Sequence, residues 1–128
     1  MKTTKKTQYA LRALLFLAKN NAKVCPISLI AKKENISFDY LEKIFSKLEK
    51  GGLVVSKKGA TGGYVLAQNY KNITLKDIFI ATGERVAIVD CILNKCLQGK
   101  NCDAMHAWKS VNKKIEEALL SIKLSDLL

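Results

Sequence analysis

The first half of the chain alternates amphipathic stretches with short polar breaks. From about residue 4 to residue 20, apolar side chains recur three and four positions apart, which predicts a helix with one buried face. Residues 20–23 interrupt this pattern. Pro26 then suits the first turn of a second helix, where its missing N–H does no harm. The expected buried face of this second helix consists of Ile27, Leu29, Ile30 and Ala31.

Residues 37–50 carry the signals of a helix at both ends. The Ser37 hydroxyl can accept a hydrogen bond from a first-turn N–H, Asp39 lies at the positive end of the helix dipole, and Gly51 can adopt the left-handed conformation that ends a helix. Apolar residues at helical spacing predict one buried face, formed by Leu41, Ile44, Phe45 and Leu48. A second face carries side chains that packing does not require, namely Tyr40, Lys43 and Lys47.

Two short strands are predicted after the third helix, at residues 53–58 and 64–67. They flank the run Gly59-Ala60-Thr61-Gly62-Gly63, which is rich in residues that tolerate positive φ. Three helices followed by a hairpin predict a winged helix-turn-helix domain, in which the third helix enters the major groove and the hairpin tip approaches the DNA backbone. The glycines also serve the turn itself, but Lys57 and Lys58 beside them favour a role in DNA binding.

The last part of the chain begins with a short helix and ends with a long one. The run Thr74-Leu75-Lys76-Asp77 resembles a capping box that opens a helix ending at Gly83. From Ala104 the helical pattern returns, with an apolar stripe formed by Trp108, Val111, Ile115, Ala118 or Leu119, and Ile122. A homodimer across this helix is the simplest way to cover the stripe, and it suits a protein that reads a two-fold DNA site. Packing onto the chain's own first helix is the alternative, and both arrangements can hold.

Positive charge is concentrated in the first half of the chain. The net charge is +11, and residues 1–70 carry 13 Lys and Arg against 4 Asp and Glu, whereas residues 71–128 carry 9 against 7. A lysine-biased genome would explain the total, since 20 of the 22 cationic residues are Lys, but it would not explain the asymmetry. The basic half is therefore predicted to bind a polyanion, and nucleic acid is favoured over a membrane surface. Together with the predicted winged helix, this indicates double-stranded DNA as the partner.

The sequence lacks the patterns that are typical of membrane proteins and of enzymes. No apolar run reaches the roughly 18–20 residues that span a bilayer. Arg12 interrupts the apolar stretch after the basic N-terminus and no cleavage site follows, so we expect a cytoplasmic protein without a membrane partner. The sequence offers no paired-carboxylate, Ser/His/Asp or phosphate-loop constellation, and a single His leaves little acid–base chemistry. We therefore expect neither an enzyme nor a small-molecule substrate, and we discount a small metalloenzyme or redox carrier.

Three cysteines and the only histidine lie close together in the sequence, as C-x4-C-x5-C-x3-H over Cys91, Cys96, Cys102 and His106. Thiolates are soft ligands that suit iron–sulfur clusters or zinc. The gaps are wider than the C-x2-C of zinc ribbons, which favours a cluster. Buried reduced thiols or a thiol-based redox switch are the alternatives, and His106 can equally be an ordinary helix residue. Cys25 stands alone and is expected to be a small apolar residue at a helix start.

The order of these parts resembles the Rrf-type winged-helix transcriptional regulators, the family of the IscR-like and NsrR-like iron–sulfur regulators. Residues 6–10 are similar to the family's opening, residues 36–45 to its recognition helix, and Gly62-Gly63-Tyr64 to its wing. Three cysteines follow in the expected place, and residues 108–128 resemble the family's long helix and tail. The resemblance covers nearly the whole chain. It implies a dimeric transcription factor of mainly α fold, with a small β-hairpin wing and a long C-terminal dimerisation helix.

The same resemblance implies roles for individual residues at the DNA. Tyr40, Glu42 and Lys43 would face base edges, and Lys58 and Gly59 would form the wing's minor-groove contact. Family members often carry Arg where this chain has Lys58, and lysine is a less directional donor. The full predicted DNA-binding set is Ser37, Phe38, Tyr40, Glu42, Lys43, Lys47, Lys57, Lys58, Gly59, Thr61 and Gly62.

By the resemblance, an iron–sulfur cluster that changes DNA affinity would be ligated by Cys91, Cys96 and Cys102. Its fourth ligand stays open. His-ligated members place His three residues after the third cysteine; here that residue is Met105, and His106 lies about 100° further around a helix. Other members use an acidic residue from the partner subunit, and Gln8 occupies the equivalent position. We include His106 in the predicted metal site and leave the nuclearity open, with 2Fe–2S as one form.

These predictions divide the chain into three functional parts. Residues 1–83 form the DNA-binding domain, residues 84–103 the cluster-binding loop, and residues 104–128 the dimerisation helix and tail. The predicted function is a dimeric, sequence-specific regulator whose DNA affinity is controlled by the cluster. The alternative is a regulator of the same fold without a cluster, which responds to thiol redox state, a small ligand or a partner protein.

Overall fold

The structure is a computed structural model that describes residues 2–89, 92 and 103–128. In these residues it has five helices, two strands and a final 3-10 turn: α1 (Lys5–Lys19), α2 (Ile27–Glu34), α3 (Phe38–Lys50), β1 (Val54–Lys57), β2 (Gly63–Leu66), α4 (Leu75–Ala81), α5 (Asp103–Ser121) and the turn Leu124–Leu127. The strands form one antiparallel hairpin. The predicted class, mainly α with a β-hairpin wing and a long C-terminal helix, is confirmed. No helix in this part of the chain is long and apolar enough to cross a membrane.

Helices α1, α2 and α3 pack around one apolar core. Its largest fully buried side chains from these helices are Leu14, Leu17, Ile30, Leu41, Ile44, Phe45 and Leu48. Burying a side chain of this size stabilises the fold by roughly 1.5–3 kcal/mol. Because four of these residues come from α3, the core determines which face of that helix turns outward. The buried face predicted for α3 is confirmed at every position.

The buried face predicted for α2 is only partly right. Ile30 and Ala31 are buried, but Leu29 keeps 38% of its surface exposed. Leu29 lies two positions after the half-buried Ile27, which is about 200° around the helix axis, so the two residues cannot share one face. Pro26 precedes α2 as its N-cap residue instead of lying within its first turn.

The left-handed glycine that ends α3 lies one residue later in the chain than predicted. The N-terminus is capped as predicted, since the Ser37 hydroxyl accepts a hydrogen bond from the Tyr40 N–H at 3.4 Å. At the other end Gly51 has a φ of −79°, whereas Gly52, with a φ of 76°, adopts the left-handed conformation. Gly51 serves close packing instead, because a Cβ there would lie 2.8 Å from the Cβ of Ala81 on α4.

The wing, residues 54–66, is fixed to both helices of the helix-turn-helix. The Cys25 N–H, just before α2, donates to the Tyr64 carbonyl at 3.0 Å, and the Tyr64 N–H donates to the Cys25 carbonyl at 2.8 Å. The backbones are so close that a Cβ on Gly63 would lie 2.4 Å from the Cys25 carbonyl carbon. The Tyr64 ring packs on Phe45 of α3, with ring centroids 4.6 Å apart. The position of the wing relative to α3 is therefore well defined.

The C-terminal elements pack against the N-terminal helices. The predicted capping box of α4 is confirmed, since Thr74 Oγ1 accepts from the Asp77 N–H at 3.2 Å and the Asp77 carboxylate accepts from the Thr74 N–H at 2.9 Å. After α5, Leu124 is fully buried and its N–H donates to the Ile73 carbonyl at 3.0 Å. The end of the chain therefore belongs to the same core as the helix-turn-helix.

Candidate nucleic-acid interface

The outward face of α3 presents the recognition residues predicted on this helix. Phe38 and Tyr40 keep 46% and 38% of their surface exposed, although both are large aromatic side chains. The exposed residues include the whole predicted set from this helix: Ser37, Phe38, Tyr40, Glu42, Lys43 and Lys47. Because the opposite face is held in the core, these side chains are available to a partner without any change in the fold.

The wing tip, residues 57–62, is a tight and exposed turn. Gly59 has a φ of 118°, and the Gly62 N–H donates to the Gly59 carbonyl at 2.9 Å. A Cβ on Gly62 would lie 2.7 Å from the Lys57 carbonyl oxygen, so the turn requires glycine there. The exposed side chains of the tip include Lys57, Lys58 and Thr61. The glycines thus serve the turn, and the lysines place positive charge beside a backbone that a large partner can approach closely.

A cleft of about 480 Å³ lies between the wing tip and the start of the helix-turn-helix. Phe38 and Ser28 line it from the helices, and Lys57, Lys58 and Gly59 line it from the wing. The structure therefore brings one predicted residue of α3, Phe38, to the same opening as the predicted wing residues Lys57, Lys58, Gly59 and Gly62. Ser28 was not predicted, because a serine in the first turn of a short helix carries no distinctive signal in the sequence.

Two carboxylates of α3 lie near the wing in different surroundings. Glu49 accepts a hydrogen bond from the Ser56 N–H at 3.1 Å and so joins α3 to β1. Glu42 is exposed on the predicted DNA face. Burial raises the pKa of Tyr64 above its ordinary value, and the charges of Glu49 and Glu42 raise it further. Glu42 therefore places a negative charge among the lysines of this face.

An aromatic and cationic row that the sequence reasoning missed adjoins this face. The Tyr9 ring of α1 meets the Tyr40 ring edge-on, with centroids 5.7 Å apart and planes at 86°. The Arg12 guanidinium lies over the Tyr9 ring, 5.5 Å from the ring centroid. Arg12 Nε also donates to Glu34 Oε1 at the end of α2, at 3.2 Å. Along the sequence, Tyr9 has an ordinary explanation as an apolar position of α1 and Arg12 as a charge that interrupts the apolar stretch.

The stem, residues 84–89, leads from α4 towards the cysteines and is anchored first to α1. The Glu84 carboxylate accepts hydrogen bonds from the Thr4 N–H at 3.1 Å and the Thr4 hydroxyl at 3.0 Å, and it also contacts the Thr7 hydroxyl. The Thr7 and Thr82 hydroxyls are 2.8 Å apart. A carboxylate at this position is favourable because the N-terminus of α1 carries partial positive charge.

A buried asparagine anchors the stem a second time, to α5. Asn112 is only 6% exposed. Its Oδ1 accepts from the Ile88 N–H at 3.0 Å and its Nδ2 donates to the Val86 carbonyl at 3.0 Å. Nothing in the sequence singles out Asn112, since one asparagine among the polar residues of a long helix is ordinary. The stem is thus held between α1 and α5.

The predicted cysteine ligands lie outside the described residues, namely Cys91, Cys96 and Cys102. Of the fourth-ligand candidates, His106 is exposed on the first turns of α5. Gln8 is exposed on α1, and its Nε2 donates to the Thr3 carbonyl at 2.9 Å. Cys25 is buried, and burial raises the pKa of its thiol, which agrees with the small apolar role expected for it.

The apolar stripe of α5 is covered on one side only. The helix packs mainly against α4. In the predicted alternative the long helix packs onto α1, but it is mainly the final turn that packs there. Two residues of the stripe, Trp108 and Val111, each keep 39% of their surface exposed. A largely apolar groove of about 410 Å³ lies where Leu119 of α5 meets α1 and α4, and Leu11 and Leu75 also line it.

The helix-turn-helix, its exposed third helix and the wing docked beside it define a winged helix-turn-helix DNA-binding protein. The chain belongs to the Rrf2 family of iron-dependent transcriptional regulators, whose family model matches residues 3–128. It is therefore a DNA-binding transcriptional regulator. Among its relatives is the HTH-type transcriptional regulator IscR of Vibrio vulnificus, which is 35% identical over 100% of this chain and 77% of that protein.

Solved structures agree with this assignment. CymR, the global cysteine regulator of B. subtilis, superposes with a TM-score of 0.86 at 31% identity, over 99% of this chain and 95% of that one. IscR of T. potens superposes with a TM-score of 0.81 at 32% identity, over 99% and 85% of the two chains. The predicted family and fold are thereby confirmed.

Proposed function

We propose that this regulator binds DNA as a homodimer, with α3 of each subunit in the major groove and the wing tip at the backbone and minor groove. The observation that carries the proposal is the cleft between α3 and the wing tip. It places the exposed Phe38 ring of the helix beside Lys57 and Lys58 of the wing. A duplex offers both base edges and phosphates at such an opening.

We assign base recognition to Tyr40, Glu42 and Lys43. Each good bidentate contact with a base edge is worth roughly 1–3 kcal/mol of discrimination. The Glu42 carboxylate can accept from cytosine N4 but repels phosphate, so it contributes to specificity rather than to affinity. Three further lysines are assigned to phosphates, where they give affinity that falls with salt: Lys47, Lys57 and Lys58.

The proposed dimer interface is the uncovered side of α5. The exposed Trp108 and Val111 and the groove beside Leu119 support this assignment, because exposed apolar surface of this kind commonly marks a protein interface. The division into residues 1–83, 84–103 and 104–128 is proposed as a division of function. The burial of Leu124 in the common core indicates that the last part does not fold separately.

We further propose that an iron–sulfur cluster controls the DNA affinity and is held by Cys91, Cys96 and Cys102. Three thiolates within 12 residues form a soft donor set that fits such a cluster. The iron-dependent character of the family supports the same assignment. When bound, the cluster supplies a redox-active centre whose potential depends on its surroundings. The His106 imidazole is a suitable fourth donor, whereas Gln8 offers only an amide in place of a carboxylate.

A specific observation favours the alternative of a regulator without a cluster. The similarity to CymR, described as a cysteine regulator, is as high as the similarity to IscR of T. potens. In this case the cysteines would respond to thiol oxidation, or the protein would respond to a small ligand or a partner protein. The same DNA-binding residues serve both functions.

One experiment separates the two functions. The full chain is purified without oxygen, and its iron, acid-labile sulfide and visible absorbance are measured. DNA affinity is then measured for the cluster-loaded and the apo forms, on an operator selected from random duplexes by the purified protein. We expect a coloured protein and a difference in affinity. Equal affinities would exclude control by the cluster, and a colourless, iron-free protein would favour the alternative.

Cysteine variants provide the control. Cys91→Ser should lose the absorbance and the difference in DNA affinity. Cys25→Ala should keep both, because Cys25 is buried at the wing and is far from the other cysteines in the sequence. If the two variants behave alike, the assignment of the cluster to the cysteine segment is wrong.

A further inference from the structure

Four side chains from three helices form a continuous row that ends at a proposed base reader. Glu34 at the end of α2 binds Arg12 of α1, Arg12 lies over the ring of Tyr9, and Tyr9 meets Tyr40 of α3 edge-on. Both aromatic geometries are favourable, since a cation is attracted to a ring face and perpendicular rings pair edge to face. The row crosses the surface beside the proposed DNA-binding face.

The residue type at position 12 is unusual for this chain. Lysine supplies 20 of the 22 cationic residues, yet Arg12 is arginine. A planar guanidinium can stack on a ring while its N–H groups bind elsewhere, which an ammonium group cannot reproduce. Here Arg12 contacts both the carboxylate and the backbone carbonyl of Glu34. Such a group at the C-terminal end of α2 also complements the helix dipole.

We propose that Tyr9 and Arg12 are positioning residues for Tyr40, and that they determine sequence preference without contacting the bases themselves. The inference rests on the proposed role of Tyr40 as a base reader. Tyr40 lies in the first turn of α3 and is 38% exposed, so part of its ring is open to a partner while its edge-to-face contact is made with Tyr9. Contact with Tyr9 selects one orientation before DNA arrives, which lowers the ordering cost of correct recognition.

The test measures the affinity for the selected operator, for operators with single base changes, and for unrelated DNA. The Tyr40→Ala variant first identifies the base pair that Tyr40 reads, because the variant should lose its sequence preference at that position. At that base pair, Tyr9→Leu should reduce the preference by roughly threefold to tenfold, the range that an edge-to-face aromatic pair supports. Tyr9→Phe should restore it, because the ring is retained. In the Tyr40→Ala background, Tyr9→Leu should have no further effect.

Arg12 provides a second test that does not put the fold at risk, since its side chain is 44% exposed. Arg12→Lys keeps the charge but loses the stacked plane, so it should reduce the same base preference and leave the salt dependence unchanged. If Arg12 instead contacts a phosphate, Arg12→Lys will keep the preference. Arg12→Gln will then lower the slope of log affinity against log salt by about 0.9 per subunit.

The outcomes distinguish this inference from the proposed function. If Tyr40→Ala leaves every base preference intact, the assignment of Tyr40 as a reader is wrong. If Tyr40→Ala loses a preference but Tyr9→Leu and Arg12→Lys do not, only the positioning role is wrong. If the effects of Tyr9→Leu and Tyr40→Ala multiply in the double variant, Tyr9 acts on DNA independently. Thermal unfolding of each variant verifies that the compared proteins are folded.

Discussion

Gly63→Ala tests how the wing is held against the helix-turn-helix. An added Cβ would lie 2.4 Å from both the carbonyl carbon and the carbonyl oxygen of Cys25, and 2.6 Å from the Pro26 nitrogen. All three atoms belong to the backbone, so no side-chain rotation can relieve the contact. The two segments must separate by about 1 Å to reach an ordinary van der Waals distance. The Cys25–Tyr64 hydrogen bonds, now 3.0 and 2.8 Å, would then be lost.

The expected cost follows from these contacts. Two backbone hydrogen bonds contribute about 0.5–1.5 kcal/mol each, and overpacking costs about 1–3 kcal/mol. The sum, about 2–6 kcal/mol, is large against the 5–15 kcal/mol that typically stabilises a domain. The variant should therefore unfold about 10 °C or more below the parent protein. Where it is still folded, the displaced wing should lose its phosphate contacts and lower the slope of log affinity against log salt.

Circular dichroism on heating and fluorescence anisotropy across a salt series measure the two effects. Gly59→Ala is the matched control for stability, because its φ of 118° strains an alanine but nothing lies within 4 Å of the added Cβ. It should destabilise the protein without separating the wing from Cys25. An unchanged melting temperature together with an unchanged salt slope for Gly63→Ala would refute the reasoning.

Four further predictions address the site and its control. Glu42→Ala should relax sequence preference while general affinity holds or rises, and loss of all binding in a gel shift would contradict this role. Trp108→Glu should weaken the dimer about tenfold or more in sedimentation, whereas Ser110→Glu on the same helix should not. Glu84→Gln should lower stability by about 1–2 kcal/mol and reduce the affinity difference between cluster-loaded and apo forms, and an undiminished difference would exclude a role for this anchor. The pKa of Tyr64 is raised in the folded protein. Its stabilising effect is therefore complete below the unfolded pKa of about 10 and is lost as pH rises above it. Tyr64→Phe should flatten the fall in melting temperature as pH rises above about 10.

Most of the fold could be predicted from the sequence because its signals are local. The cap at Ser37, the capping box at Thr74 and the buried stripe of α3 each depend on residues within one or two turns. The errors occur where distant segments meet. Gly51 is a glycine because Ala81 packs on it, and Gly63 because Cys25 does, and neither partner is adjacent in the sequence. A pattern read along the chain therefore assigns both glycines to local turns.

The candidate site shows the same contrast between local sequence signals and contacts among distant segments. The exposed residues of α3 and the wing tip could be predicted, since exposure follows from the face that is buried. The supporting residues could not. Tyr9 supports Tyr40 across 31 positions, and Asn112 holds Val86 and Ile88 across 26 and 24. Each of these residues also has an ordinary explanation in its own helix, so only the three-dimensional contact reveals its role.

The two anchors of the stem indicate how a change at the cysteines would reach the DNA. Glu84 connects the stem to the start of α1, and α1 packs against α3. Asn112 connects the same stem to α5, which carries the proposed dimer interface. A stem held at both points cannot shift without straining one of these contacts. A rearrangement of the cysteine segment would therefore act on the orientation of α3 through α1, and on the spacing of the two recognition helices through α5. The proposed effect of Glu84→Gln isolates the first route, because that substitution leaves every Asn112 contact in place.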